Sequence, residues 1–178
     1  MVSLETDRLR VRSFRADDAE ALHAIIARYA ASEVAAYDQP WPTSLEEIRQ
    51  VTAWFASGDR FLAVCLKPDE TLIGFVALSP EGEAEPPTLN LGYVFHEDYH
   101  GRGYAAEACR AAIAYAFGEL RASRLVSGTA AANVASCRLL ERLGFRKVAE
   151  QSGSFQTAAD GTPITFLGYT YELSSAAQ

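Results

Sequence analysis

The chain has 178 residues, 49% of them apolar and 22% charged, enough for one domain with a substantial core, expected to span residues 1–178. A net charge of −7 argues against a nucleic-acid partner, and no stretch approaches the ~20 apolar residues of a membrane helix. Met1–Glu5 lacks a basic, apolar leader pattern and Cys65, Cys109 and Cys137 form no CxxC pair, so a cytoplasmic protein with reduced thiols is expected.

In chain order, Leu9 and Val11 alternate with Arg8, Arg10 and Arg12, the pattern of a half-buried strand. Asp17, Asp18 and Glu20 load the first turn of a helix whose apolar stripe is Leu22, Ile25, Ile26 and Tyr29. The stretch Tyr37-Asp38-Gln39-Pro40-Trp41-Pro42 is a loop, because its prolines bar a regular helix. Ser44-Leu45-Glu46-Glu47 is a capping box opening a second helix, with Leu45, Ile48, Val51, Thr52 and Phe55 on one face and Gly58 at its end. Arg60 to Leu66 and Leu72 to Leu78 read as a hairpin around Lys67-Pro68-Asp69-Glu70. An acidic, Pro-bearing loop, Ser79 to Pro87, leads to a central strand, Thr88 to Phe95. A long Ala-rich helix spans Tyr104 to Leu120, a strand Arg124 to Ala130, and a short helix Asn133 to Leu143 closed by Gly144. Two strands, roughly 145–154 and 162–172, finish the chain. The order β-α-α-β-β-β-α-β-α-β-β predicts an α/β (α+β) domain on a mixed, mostly antiparallel sheet flanked by helices.

The most informative segment is Gly92 to Tyr104, where the central strand runs into Gly101-Arg102-Gly103 and the loop opens the long helix. The first N–H groups of that helix have no internal acceptor and carry the positive end of its dipole, so the loop is a candidate phosphate cradle. Residues 100–147 carry eight Lys/Arg against three Asp/Glu, whereas the rest of the chain is acidic. That division suits an anionic cofactor and a cationic substrate, and equally suits scattered solvated charge.

Two other motifs fit their context poorly. His96-Glu97-Asp98-Tyr99-His100 matches the zinc pattern H-E-x-x-H, which needs both histidines on a helix, and glycines follow at once. No metal is expected. Gly101 to Ala106 matches a dinucleotide fingerprint, but five residues separate Phe95 from Gly101 and no acidic residue ends the following strand.

Gly92 to Ala108, Asn133-Val134-Ala135-Ser136 and Leu139 to Phe145 together resemble the GNAT acetyltransferase superfamily. The opening Glu5 to Arg12, the Asp18 to Leu22 helix start and Trp41-Pro42 before the capping box are similar to its ribosomal-protein N-terminal acetyltransferase branch. The resemblance covers residues 3–172 with elements in matching order. It implies acetyl-CoA as cosubstrate, its diphosphate held on main-chain N–H groups of Gly101, Arg102, Gly103, Tyr104 and Ala105, with His100 leading in. The usual Gln/Arg three residues before the first Gly is Asp98 here. The resemblance further implies a central strand splayed from the next, with Val94 and Phe95 bonding the pantetheine arm, one of them supplying the oxyanion N–H, and Gly92 in a bulge. Asn133 and Ser136 match positions near the thioester, with Ser136 as candidate proton donor to the thiolate; helix capping is the competing role for Asn133.

Two departures affect the chemistry. The family's tyrosine acid position is Leu140, and the branch's glutamate base position is Asn90, which cannot take a proton at neutral pH. The remaining candidate bases are Glu97, His96 and Asp38, acting through water, and a site without a base is the alternative. Freeing a lysine amine at pH 7 costs about 4.6 kcal/mol against about 1 kcal/mol for an α-amine, so a weak base suits a peptide N-terminus. The expected acceptor is therefore a protein α-amine, with a small cationic amine (polyamine or antibiotic) as alternative and a non-catalytic acyl-CoA-binding module as rival. Tyr37, Asp38, Trp41 and the acidic loop Glu81 to Glu85 are candidates for the acceptor site, and a monomer or homodimer is expected.

Overall fold

A computed structural model describes residues 1–175. Its strands are β1 (Ser3–Glu5), β2 (Leu9–Ser13), β3 (Phe61–Leu66), β4 (Leu72–Pro80), β5 (Thr88–Phe95), β6 (Arg124–Ala130), β7 (Arg146–Thr157) and β8 (Pro163–Ser174). Its helices are α1 (Ala19–Ala30), α2 (Leu45–Ala56), α3 (Tyr104–Gly118) and α4 (Val134–Arg142). One sheet runs β1-β2-β3-β4-β5-β6-β8-β7, antiparallel at every step except the parallel pair β5–β6. The mixed, mostly antiparallel α/β architecture read from the sequence is the one observed.

Several boundaries differ. Strand β1 was not expected, since three residues are too few to show a period; it pairs with β2, Ser3 opposite Arg12. Helix α3 stops at Gly118 rather than Leu120, and the last two strands run on to Thr157 and Ser174. Arg12, expected to face solvent, is only 6% exposed and is held bidentate by Asp18, with both contacts at 2.8 Å. Asp18 also accepts from the Arg15 N–H at 2.7 Å, so it spends its charge on this pair and on a 3-10 turn before α1. A buried guanidinium survives in a core only when paired in this way.

The sheet has apolar groups on both faces. Leu9, Val11, Ile73, Val76, Leu89, Leu91 and Phe95 pack with Ala108, Cys109, Ala112, Ile113 and Ala116 of α3. Small residues along that helix let its backbone lie close to the strands. On the opposite face Phe75 and Val94 pack with Leu22, Ile25, Ile26, Ile48 and Phe55 of α1 and α2. Successive residues of β5 thus serve opposite cores, as a period of two requires.

What positions the site is the way β5 and β6 part. Their parallel ladder covers only Thr88–Arg124, Leu89–Leu125 and Asn90–Val126. Beyond it, β6 follows β8 through Ala130 while β5 stays with β4 through Phe95. The Ser127 hydroxyl donates to the Leu91 carbonyl at 2.8 Å, filling the first lost ladder position. Gly92 sits in unbroken register opposite Ala77, so the expected bulge there is absent and the splay comes from divergence of whole strands.

Candidate active site

The glycine turn is built as a cradle. Gly101 and Gly103 have φ of +74° and +82°, a region that strains any residue with a Cβ. The first intrahelical bond of α3 runs from the Glu107 N–H to the Gly103 carbonyl at 3.0 Å. Tyr104, Ala105 and Ala106 therefore begin the helix with N–H groups lacking an intrahelical acceptor. A Cβ on Gly101 would meet nothing within 4 Å, so this side of the turn is open.

Arg8 straps the turn from outside, a role that the sequence reading missed. Its Nη1 donates to the Arg102 carbonyl at 3.0 Å, its guanidinium lies 4.5 Å from the Tyr104 ring centroid, and its Nε reaches Glu107 Oε2 at 2.7 Å. Glu107 also accepts from Thr6 Oγ1 at 2.6 Å and the Arg8 N–H at 3.0 Å. Burial alone would raise the Glu107 pKa, but these donors outweigh it and hold the carboxylate below its usual range. Arg8, Gly103, Arg110 and Arg142 border an open depression of about 690 Å³ beside the turn.

The exposed edge of β5 follows from its register. Thr88 O accepts from the Glu81 N–H at 2.8 Å, and the His96 N–H donates to Ile73 O at 2.9 Å. Hydrogen bonding alternates along an antiparallel pair, so even-numbered residues bond to β4 and odd-numbered ones turn their main chain toward the fork. Tyr93 and Phe95 face the fork; Val94 faces β4, and its side chain is buried among α1 and α2. This corrects Val94 as a main-chain donor at the splay, and Tyr93 takes its place. His100 turns its Nε2 onto Phe95 O at 2.9 Å, tying the turn to the strand end and leaving the Phe95 N–H toward the fork. Gly74 opposite Phe95 is needed for space, since a Cβ there would stand 2.5 Å from the phenyl ring and 2.6 Å from Val94 O.

Beyond the fork lies a cleft of about 410 Å³. Asn90, Gly92 and Tyr93 form one wall, Asn133 and Ser136 another, and Tyr29, Tyr37, Asp38, Phe155 and Phe166 the far end. Asn133 is the N-cap of α4, its Oδ1 accepting from the Ser136 N–H at 3.2 Å, so capping and a place in the cleft go together. The Ser136 hydroxyl meets the Tyr93 hydroxyl at 2.8 Å across the fork. Burial pushes the Tyr93 phenol well above its ordinary range. Leu140 is fully buried in the core and is not part of the cleft lining.

Asp38 is the carboxylate of this lining. It accepts from Tyr29 OH at 2.8 Å and from the Gln39 N–H at 2.7 Å. Burial, helped by the Asp38 charge, raises the Tyr29 phenol. Gln156 Nε2 donates to Ala35 O at 2.7 Å and Asp38 O at 2.8 Å, pinning the β7–β8 hairpin over the 3-10 turn Glu33–Tyr37. Phe166 stands 5.8 Å from Tyr37 and 5.5 Å from Phe155, closing the end with rings.

Four of the sequence candidates lie elsewhere. Glu97, half exposed in the 3-10 turn Glu97–Tyr99, pairs with Arg28 at 3.0 Å and is not part of the cleft wall. His96 caps the same turn, its Nδ1 accepting from the Asp98 N–H at 3.3 Å. Trp41 packs edge-on against Phe55 and Phe75 in the α1–α2 core. Residues of the acidic stretch Glu81 to Glu85 are exposed and away from the cleft. The folded chain turns these candidates outward to solvent or inward to the core.

Known proteins share this arrangement. The acetyltransferase (GNAT) domain matches residues 8–146. The curated protein named probable N-acetyltransferase YjcK, of Bacillus subtilis (strain 168), is 37% identical over 79 residues, 44% of this chain and 44% of that protein. The matched stretch thus spans under half the length of that curated relative. A GNAT-family acetyltransferase from Bacillus anthracis superposes with a TM-score of 0.80 at 25% identity, over 97% of this chain and 98% of the other. RimL, the ribosomal L7/L12 alpha-N-protein acetyltransferase solved in complex with coenzyme A, has a TM-score of 0.79 at 17% identity, over 99% of this chain and all of that one (100%). The matched residues carry the forked strands, the glycine turn and α3 and α4 around it, and the chain belongs to the acetyltransferase (GNAT) family.

Proposed function

We propose that the chain is an acetyl-CoA-dependent N-acetyltransferase acting on a primary amine, with a protein N-terminal α-amine as the preferred acceptor. The observation that carries this reading is the unpaired edge of β5, which lines the Asp38 cleft from Asn90 to Tyr93 and leads along the chain into the glycine turn that opens α3. An open glycine turn at a helix N-terminus fits a diphosphate, held by the N–H groups of Gly101, Arg102, Gly103, Tyr104 and Ala105. The β5 edge fits an amide-bearing pantetheine arm, which would add to Tyr93 and Phe95 as a peptide strand adds to a sheet. The coenzyme supplies an activated acetyl thioester.

The chain's own groups then have definable tasks. Asp38 draws the acceptor's ammonium into the cleft, and the aromatic end dehydrates it. A water held by Asp38 accepts the ammonium proton, leaving neutral nitrogen to attack the thioester carbonyl. The Phe95 N–H, turned toward the fork, is placed to meet the developing oxyanion. Nitrogen bonds to carbon, the carbon–sulfur bond breaks, and its electron pair leaves on sulfur as thiolate. Asn90 and the displaced Glu97 leave only this indirect base. Weak base catalysis favours an α-amine over a lysine by the several kcal/mol separating their deprotonation costs, about 4.6 against about 1 at pH 7. RimL, a ribosomal L7/L12 alpha-N-protein acetyltransferase of the same fold, is consistent with that preference.

A small cationic amine is the second reading, favoured by the ring-lined end of the cleft at Asp38. Calorimetry with coenzyme A, followed by thiol release with peptides, N-acetyl-lysine and polyamines, separates the readings. Peptide α-amines are expected to turn over fastest. Asp38→Asn is expected to raise the amine KM about tenfold or more while leaving the acetyl-CoA KM within about twofold. Coenzyme A binding without thiol release from any amine would establish the binding-module rival instead.

A further inference from the structure

We infer that Tyr93 is a positioning residue for thioester cleavage, acting through Ser136. This rests on the transferase reading above and adds to it a group on β5 that orients the hydroxyl of Ser136 on α4. The two hydroxyls lie 2.8 Å apart, one from each side of the fork. Both residues line the cleft, at the point where β5 leaves β6 and α4 begins.

The direction of that bond follows from chemistry. A phenol is a stronger donor than an aliphatic alcohol, and the alcohol oxygen is the better acceptor, so Tyr93 donates and Ser136 Oγ accepts. Burial keeps the phenol protonated through the pH range in which an amine can be acetylated. Tyr93 is half-buried and packs against the core around Leu91 and Phe95, which restricts its ring. Ser136 in turn has its main-chain N–H tied to Asn133 Oδ1 at 3.2 Å, which holds the first turn of α4. A serine hydroxyl on a helix surface normally samples several rotamers. Here one rotamer is selected, and with the oxygen occupied by Tyr93, the serine hydrogen is left to point into the cleft.

A thioester carried along the β5 edge into this cleft would bring its sulfur to that hydrogen. As the carbon–sulfur bond breaks, the electron pair goes to sulfur and Ser136 O–H donates a hydrogen bond to it. Tyr93 keeps its own proton throughout, because a thiolate is too weak a base to take one from a phenol raised above its usual range. The ammonium proton leaves to water at Asp38, so the overall reaction balances without a proton from Tyr93. The interaction exists only once sulfur carries charge, so its loss lowers kcat and leaves ground-state binding intact. A tyrosine hydroxyl from the β5 side thus does part of the work for which position 140, a buried leucine, is unsuited.

The test is a double-mutant cycle of Tyr93→Phe and Ser136→Ala, read as kcat and KM for acetyl-CoA with a peptide amine. Coenzyme A calorimetry and a thermal melt accompany each variant. The expected result for Tyr93→Phe is a fall in kcat of about tenfold, the scale of one hydrogen bond, with acetyl-CoA KM and coenzyme A affinity within about twofold. On the Ser136→Ala background the same change is expected to do almost nothing, because the group it acts through is gone. Ser136→Thr, which keeps the hydroxyl, is expected to retain sensitivity to Tyr93→Phe. A ring that merely packs would give no loss on removing its hydroxyl, or losses that multiply across the cycle; either result overturns the inference while an active wild type leaves the transferase reading standing. If wild type releases no thiol from any amine, both fall together. Should Tyr93→Phe fail to fold, Tyr93→Met, of similar length and adaptable shape, removes the same hydroxyl for the same comparison.

Discussion

At the residue scale, the glycine turn depends on a side chain almost a hundred positions away. Arg8 fixes the Arg102 carbonyl and is itself fixed by Glu107, so one carboxylate holds the guanidinium that holds the turn. Glu107 has a lowered folded pKa, so its contribution is present above the ordinary carboxylate value of 4.5 and lost as pH falls through the folded value. Glu107→Gln is expected to cost about 1–2 kcal/mol at pH 7 in urea denaturation. The difference from wild type is expected to shrink as pH falls below about 4.5. A difference that stays constant from pH 7 to pH 3 would show that the charge plays no part. The same variant loosens the turn, and its coenzyme A affinity is expected to drop with it.

At the element scale, α4 is short, and its start is set by one asparagine. Asn133→Ala removes an N-cap, which costs about 1 kcal/mol and lowers the melting temperature by about 2–4 °C in a chain of this size. It also frees the Ser136 N–H, so kcat is expected to fall further than the stability loss explains; unchanged kcat at lowered melting temperature would mean a cap and nothing more. The helices were legible in the sequence where cap and stripe agreed, as with Ser44 and Glu47 before Ile48 and Phe55. Strand β1 was not, because its three residues earn their ladder only by lying beside β2. The buried Arg12–Asp18 pair was invisible for a related reason: alternation predicts a face, and only the 3-10 turn ahead of α1 brings a carboxylate under it.

At the scale of the whole molecule, the Asp38 end of the cleft is assembled from segments far apart in the chain. Gln156 on β7 holds the carbonyls of Ala35 and Asp38 and so couples the terminal hairpin to the loop that carries the carboxylate. Gln156→Ala is expected to raise the amine KM about tenfold while the acetyl-CoA KM stays within about twofold, measured by thiol release. Equal rises in both would show a general loss of fold rather than a loosened acceptor wall. Among the described residues no helix is long and apolar enough to cross a membrane.

The division between sequence and tertiary structure follows from range. The glycine turn, the strand before it and the long small-residue helix after it are contiguous, and their geometry is dictated by φ preferences and periodicity within some thirty residues, roughly 88 to 118. Family, fold and the glycine turn that opens the long helix were therefore readable from the chain alone. Which way a side chain on β5 turns its main chain, whether Glu97 or Asp38 enters the cleft, and that Tyr93 meets Ser136 depend on register, on a fork between strands and on a hairpin folding back. Those are long-range pairings, with a one-residue shift reversing every orientation, and no local pattern encodes them.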